Sequence, residues 1–463
     1  MRLGGIWDQL GGGFHRYSTD ERWLVPHFEK MLYDNALLAR LYVDASRAFG
    51  DPKLAEVSLE IVRYLAREMI DDEGAFFSTQ DADSVPEGAP AGTHPEEGAF
   101  FAWTPSELRE ACAGDDEAAS VATLFFGVTS RGNFEDPHAH DPSIRRTVLS
   151  EVMTLDAVAE QLSISIDAAR TALDRAKKKM FERREKRPRP FRDEKILASW
   201  NGLAIGACAE VAMATGDAQA RTMAERAFAA IEARLVGPSG RVKRTKNVAG
   251  YLDDHSFLAC AALDLYELTA TPRYVTVARS IVAQAMAHFA DCALGGFYFS
   301  PDDGEALIHR GKDPFDHAIP SGQSMMALAL LRLFALDGDA TLEDRAKRAL
   351  EPLASAATRN ALGFSQTIVA LDRLVRGSTD VVVVGPREDA RTRSLLDAAR
   401  TSFVAHRTLA LVDPDDASTA AACPALAEGK AAKAHPVAYV CRARTCSPPI
   451  ADATALASAL RAS

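Results

Sequence analysis

The sequence predicts a mainly α protein of paired helices, with a small α/β appendix at its C-terminal end. Three observations predict it. Helical apolar periodicity returns about a dozen times before residue 375, with almost no strand-like run between. The later helix starts, near 195, 255 and 321, recur about every sixty residues, the length of two helices and two loops. From Asp380 the texture changes to Asp380-Val-Val-Val-Val-Gly385, a buried-strand run. A fixed period of helical hairpins means a stacked repeat or a closed ring. In a ring, alternate helices are parallel, so their N-termini share one face.

Taken in order, the chain opens with a glycine-rich loop, Gly11-Gly-Gly-Phe-His-Arg-Tyr-Ser18. No strand precedes it, so it is not a phosphate-binding fingerprint. The residues before it look like the end of one element, and an upstream segment is expected. Helices are predicted over 28–49 and 52–70, the second started by Asp51 as N-cap and Pro52 at the first helical position. Three short, glycine-led aromatic stretches follow the pattern of a β-hairpin between helices: Gly74-Ala-Phe-Phe, Gly98-Ala-Phe-Phe and Gly295-Gly-Phe-Tyr-Phe. Helices are expected over 104–112, 116–126, 156–161 and 167–184, with a loop over 131–142 and a basic, proline-punctuated connection at 183–192. Paired helices then run over 196–215 and 217–235, 255–269 and 272–289, 321–336 and 342–358, with a last one over 365–375. The appendix holds strands at 380–385, 409–412 and 437–441 and a helix at 392–401.

A chain of 463 residues is one large helical toroid or two to three ordinary domains. With 47% apolar and 25% charged residues it has a globular composition. The net charge of −11 argues against a general nucleic-acid binder. No apolar run approaches the ~18–20 residues of a membrane span. Met1-Arg-Leu-Gly-Gly-Ile-Trp lacks the apolar core of a signal peptide, so a cytoplasmic location is expected. Seven cysteines without a Cys-x-x-Cys pair read as free thiols, including the nearest pair, Cys441 and Cys446.

Polar clusters precede or open the inner helices. The first holds His15, Arg16, His27, Glu29, Lys30 and Asp34, where helical spacing puts Lys30 and Asp34 on one face. An ion-pair network sealing a loop explains these residues; so does the wall of a ligand pocket with His27 as proton-transfer group. Asp81, Asp83 and Glu97 lie on two aromatic loops, as a solvated turn, a divalent-ion site or the carboxylate pair of a glycosidase would have them. Asp193, Trp200 and Asn201 open a later inner helix, beside Gly202 and Gly206, whose spacing allows close helix contact. Asp254, read as an N-cap, and His255 repeat the pattern, and Asp316 and Ser321 complete it. All four tryptophans, Trp7, Trp23, Trp103 and Trp200, lie in or beside these clusters. That suits a sugar-like ligand, although core packing accounts for tryptophan equally. His138-Ala-His140 has metal-like spacing but no zinc partners, and no metal is expected.

Six of these stretches together resemble one family: Gly11 to Ser18, Trp23 to Asn35, Asp81-Ala-Asp-Ser84, Arg187-Pro-Arg-Pro190, Ser199-Trp-Asn-Gly202 and Pro320-Ser-Gly322. They are similar to the thioredoxin-domain-containing proteins related to spermatogenesis-associated protein 20. The resemblance implies a thioredoxin-like domain followed by a six-hairpin (α/α)6 barrel, similar to N-acylglucosamine 2-epimerases and six-hairpin glycosidases. This sequence departs from the pattern: the thioredoxin-like domain and its redox motif are absent, and the chain is expected to begin inside the first barrel helix. The barrel is assigned to 1–376 and the α/β region to 377–463.

The expected function is a carbohydrate-active or carbohydrate-binding barrel, epimerase-, isomerase- or glycosidase-like, taking a sugar-like small molecule and no cofactor. Its catalytic set is His27, His255, Asp81, Asp83 and Asp254. Binding falls to His15, Arg16, Trp23, Glu29, Lys30, Asp34, Asp193, Trp200, Asn201, Asp316 and Ser321. The alternative is a non-catalytic binding or quality-control factor whose redox chemistry belongs to the missing domain.

Overall fold

The computed structural model describes residues 1–134, 144–430, 435–443 and 445–461. His138 and His140 lie outside the described residues. The chain divides into two compact units. The first comprises Met1–Asn35, Arg63–Met69 and Phe77–Glu194; the second comprises Ala36–Val62, Ile70–Phe76 and Lys195–Ser463. The predicted mainly α class holds, with helices paired into hairpins and small sheets between them.

Two helices contribute to both units, α1 (Leu32–Phe49) and α2 (Pro52–Glu68). Helix α1 starts four residues later than its periodicity predicts. Lys30–Met31 is a strand, β3, hydrogen-bonded to β4 (Thr79–Gln80), which in turn pairs with β7 (Arg192–Asp193). Lys30 therefore does not share a helix face with Asp34. The first unit also holds the ladders β1 (Tyr17–Ser18) with β2 (Pro26–His27) and β5 (Asp83–Ser84) with β6 (Glu96–Glu97).

Its helices α3 (Pro105–Ala111), α4 (Asp116–Phe126), α5 (Leu155–Leu162) and α6 (Ile166–Arg184) each start at a capping side chain. The caps are Thr104, Asp115, Thr154 and Ser165, each accepting a first-turn N–H that the helix cannot satisfy itself. Their apolar faces meet in one core around Trp103, Leu108, Phe126, Leu173 and Met180. Trp7 and Trp103 are fully buried, which makes them core residues.

In the second unit, α7 (Ala198–Thr215), α9 (Leu252–Thr269) and α11 (Gly322–Asp337) are inner helices, and α8 (Ala218–Leu235), α10 (Pro272–His288) and α12 (Ala340–Arg359) are their outer partners. Helix α13 (Ser365–Arg376) packs against α11. Every residue of α9 is buried. Such a helix presents no solvated face to the outside of the unit. Gly202 permits α7 to approach it closely: a Cβ there would lie 2.8 Å from the backbone carbonyl carbon of Phe257.

A short ladder, β8 (Lys243–Thr245) with β9 (Val248–Ala249), precedes α9. The aromatic hairpins after Gly74 and Gly295 appear as single bridges, Ile70↔Phe76 and Ala290↔Phe297.

The C-terminal segment forms a four-stranded sheet in the order β11-β10-β12-β13, from β10 (Thr379–Val384), β11 (Arg407–Val412), β12 (Val437–Arg442) and β13 (Thr445–Cys446). Strands β10 and β11 are parallel, joined by α14 (Ala390–Thr401), while β12 runs antiparallel to β10. Alternate residues Val381, Val383, Leu409 and Leu411 face a core shared with Leu395 and Leu456. The expectation of free thiols fails at one pair. Cys441 and Cys446 stand opposite each other on β12 and β13 and are disulfide-bonded. Cys112, Cys208, Cys260, Cys292 and Cys423 are free. Among the described residues, no helix is long and apolar enough to cross a membrane.

Candidate functional site

The sequence-predicted residues of the first unit fall into two groups. Around His27 they form a polar cluster. His27 Nδ1 is 2.7 Å from Glu97 Oε1, its Nε2 is 3.6 Å from Glu29 Oε2, and its ring stacks on Tyr17. Arg16 donates to Glu29 at 2.8 Å. The register of β5 and β6 puts Asp83 opposite Glu97. Asp34 has a buried Oδ2 with no hydrogen-bond partner among the described residues. Burial raises its carboxyl to about 7, against the pull of Arg16. Asp81 is exposed and accepts the N–H of Ala82, Asp193 pairs through its backbone with Thr79, and Trp23 is 43% exposed.

His15 and Lys30 belong instead to the core. His15 donates from Nδ1 to the Phe28 carbonyl at 2.7 Å, and burial lowers its pKa to about 3. Lys30 is 1% exposed and lies over the rings of Tyr64 and Phe101. It donates to Asp8 at 2.8 Å, and Arg184 meets the same carboxylate at 2.7 Å. A ligand-binding role for these two is corrected: Lys30 is a buried cation already paired, His15 is a buried neutral ring bonded to backbone, and neither has an exposed face to offer.

In the second unit the predicted residues sit at helix starts and hold backbone. His255 is completely buried. Its Nδ1 donates to the Tyr251 carbonyl at 2.8 Å and its Nε2 accepts the N–H of Val242 at 3.1 Å. Burial lowers its pKa to about 4. With both ring nitrogens committed it is a clamp, and the proton-transfer role is corrected. Asp254 is the third helical residue rather than the cap. It accepts from Tyr251 N at 2.9 Å and from Ser199 N at 3.0 Å. Burial and the adjacent Asp253 push its carboxyl up to about 7. Asn201 holds both backbone groups of Phe76, and Asp316 accepts the N–H groups of Ser321 and Gln366, each at 2.7 Å. Ser321 caps α11. Trp200 is half-buried at the start of α7.

Further along the same helices lies a cavity of about 540 Å³. None of the sequence-predicted residues lines it. Its walls come from α1, α7, α9, α11 and α13, and from Phe403 to Arg407, which lead into and begin β11. Residues near the helix starts, Ala36, Leu37, Leu203, Phe257 and Met325, are apolar. The charged residues on these helices lie two or more turns on. Five arginines, Arg40, Arg47, Arg332, Arg373 and Arg407, line the cavity together with four carboxylates, Asp44, Glu210, Asp264 and Glu267.

Arg40 donates to Asp264 at 2.9 Å, and Arg332 bridges Asp264 at 2.7 Å and Glu267 at 3.1 Å. Arg407 reaches Glu267 at 3.1 Å and Glu210 at 3.5 Å, while Arg47 pairs with both Asp44 and Glu210. Gly206 makes room for this lattice, since a Cβ there would lie 2.6 Å from Asp264 Oδ2. Burial is offset at Glu210 by Arg47, Arg407 and Arg40, which hold its carboxyl below the usual range. Asp44 goes the other way, pushed up by burial and by Glu210. On the appendix side, His406 lines the cavity and bonds Asp372 at 2.7 Å.

The sequence carried a signal for these residues that the helix-start reasoning passed over. Arg40, Asp44 and Arg47 recur at helical spacing, Asp264 and Glu267 are three apart, and Glu210 and Arg332 interrupt long apolar helices. Charged residues inside helices without a polar face need partners or a ligand.

No protein-family profile matches the chain. It is 32% identical to human spermatogenesis-associated protein 20 over 98% of its own length and 60% of the relative's. The mouse protein of the same name is 30% identical over the same shares. The chain thus spans about 60% of the length of the curated relatives it matches. Among solved structures it is similar to cellobiose 2-epimerase from Spirochaeta thermophila, with 14% identity, 77% of this chain and 66% of that one covered, and a TM-score of 0.44. By sequence, along nearly its whole length, the chain is similar to the proteins named spermatogenesis-associated protein 20.

Proposed function

We propose that this chain is a carbohydrate-active protein whose ligand occupies the second unit's cavity, with epimerase-, isomerase- or glycosidase-like chemistry. One observation carries the reading: a single cavity of about 540 Å³ joins an apolar, partly aromatic wall to a base of fixed charged groups. A sugar offers an apolar ring face and many hydroxyls, and this lining matches both. Phe257 and Phe403 supply the flat surfaces, and the arginines and carboxylates supply donors and acceptors already held in place.

The acid–base pair proposed is Asp44 and Glu210. Their environments push the two carboxyls apart, one toward holding its proton and one toward releasing it. His27, backed by Glu97, is the first unit's proposed proton-transfer group.

A panel of mono- and disaccharides in heavy water tests the reading. Deuterium gained at a ring or carbonyl-adjacent carbon, or new reducing ends, is the expected result. A second reading, binding without catalysis, is favoured by the full ion pairing of the four carboxylates. Saturable binding without exchange would select it. Failure of every sugar to bind would end both.

A further inference from the structure

We infer that the cavity takes an acidic sugar, one bearing a carboxylate or phosphate group, and that Arg373 binds that group. The inference rests on the carbohydrate reading of the same cavity.

Four of the cavity's arginines are matched by its four carboxylates: Arg40 with Asp264, Arg47 with Asp44 and Glu210, Arg332 with Asp264 and Glu267, Arg407 with Glu267 and Glu210. Arg373 is the one left over. It is 5% exposed and lines the cavity from α13. Its guanidinium donates to Thr408 Oγ1 at 2.8 Å and to the Arg407 carbonyl at 3.4 Å, both neutral acceptors. Among the described residues no carboxylate lies within ion-pair distance of it. Glu267 and Asp380 act on it from further away, while burial and Arg332 lower its pKa to about 10.

A buried cation without a counter-ion costs stability unless something supplies the opposite charge. A guanidinium at a cavity wall is suited to do so for a carboxylate or phosphate, through paired N–H groups. The cavity has the size of a small-molecule site. It therefore has room for a sugar whose neutral part lies against Phe257 and Phe403 while its charged group reaches α13.

Calorimetry on the full chain with glucuronate, glucose 6-phosphate, glucose and inorganic phosphate tests this. At least one of the two acidic sugars is expected to bind about tenfold or more tighter than glucose. Whichever binds tighter says which anion the site prefers. Arg373→Gln should erase the difference, lowering the affinity for the acidic sugar about tenfold more than that for glucose.

Should that variant fail to fold, Val369→Glu is the second probe. Val369 lines the cavity one turn before Arg373 and is 45% exposed, so a glutamate there supplies an internal counter-ion. It too should remove the preference. Glucose binding as tightly as both acids overturns the inference and leaves the carbohydrate reading standing. Phosphate binding that depends on Arg373, with no sugar binding, overturns the carbohydrate reading and, with it, the acidic sugar. No binding by any of the four overturns both.

Discussion

Asp254 accepts the backbone N–H of Ser199 at 3.0 Å, so the start of one inner helix is capped by a side chain from the start of the next. The same carboxylate accepts the N–H of Tyr251, the residue that caps its own helix, at 2.9 Å. Two orphan donors at buried helix ends therefore depend on one residue. Asp254→Ala should cost about 2–4 kcal/mol, the loss of two such bonds with the donors left buried. Asp254→Asn, which keeps one acceptor, should cost less. Denaturant midpoints of the two variants check the order; equal costs would mean the second bond contributes nothing.

His255 makes stability pH-dependent. Its folded pKa is lowered to about 4 from an ordinary 6.5, because burial disfavours the charged ring. The unfolded chain binds the proton first, so this contribution is fully present above about pH 6.5 and is lost as pH falls toward 4. His15, lowered to about 3, acts in the same direction. Asp34 and Asp254, raised to about 7, act in the opposite direction, so the check is the difference in melting temperature between the chain and its variant: the destabilisation caused by His255→Gln should shrink from pH 7 to pH 4. A destabilisation that stays the same across that range would show that the ring is not neutral in the folded chain.

Much of this architecture is legible in the sequence, and the misses have physical causes. Helix positions follow from apolar spacing, and Asp115, Thr154 and Ser165 cap where capping residues stand. The start of α1 is misplaced because Lys30 and Met31 bond to residues some fifty positions away, which local periodicity does not register. The helix-start clusters were visible as polar residues, but their partners are backbone groups, and a sequence does not distinguish Asn201 holding Phe76 from Asn201 facing a ligand. The cavity charges were the opposite case. Glu210 and Arg332 stand out as charges in apolar helices, yet only the packing of those helices puts Asp264 between Arg40 and Arg332.

Gly202 and Gly206 should tolerate alanine differently. At Gly202 the added Cβ meets backbone, Phe257 C at 2.8 Å, which cannot move without shifting α9. Overpacking of that kind costs about 1–3 kcal/mol. At Gly206 the obstacle is the end of the Asp264 side chain at 2.6 Å. Gly206→Ala should therefore displace the carboxylate from Arg40 and change ligand binding more than stability. Paired melting and sugar-binding measurements separate the two; a larger stability loss at Gly206 than at Gly202 would contradict the assignment.

Arg332 stands between Asp264 and Glu267, carboxylates that are 2% and 6% exposed. Truncating it leaves both buried without their shared cation, although Arg40 still serves Asp264 and Arg407 still serves Glu267. A buried pair broken on one side costs about 3–5 kcal/mol, and the remaining partners should hold Arg332→Met to the lower half of that range. Adding Glu267→Gln removes one stranded charge, so the double variant should recover part of the loss. Recovery would show that the penalty lies in the unpaired carboxylate rather than in lost packing of the arginine stem. A double variant weaker than either single change would mean Glu267 matters chiefly through Arg407, and that the lattice is anchored from the C-terminal segment instead of from α11.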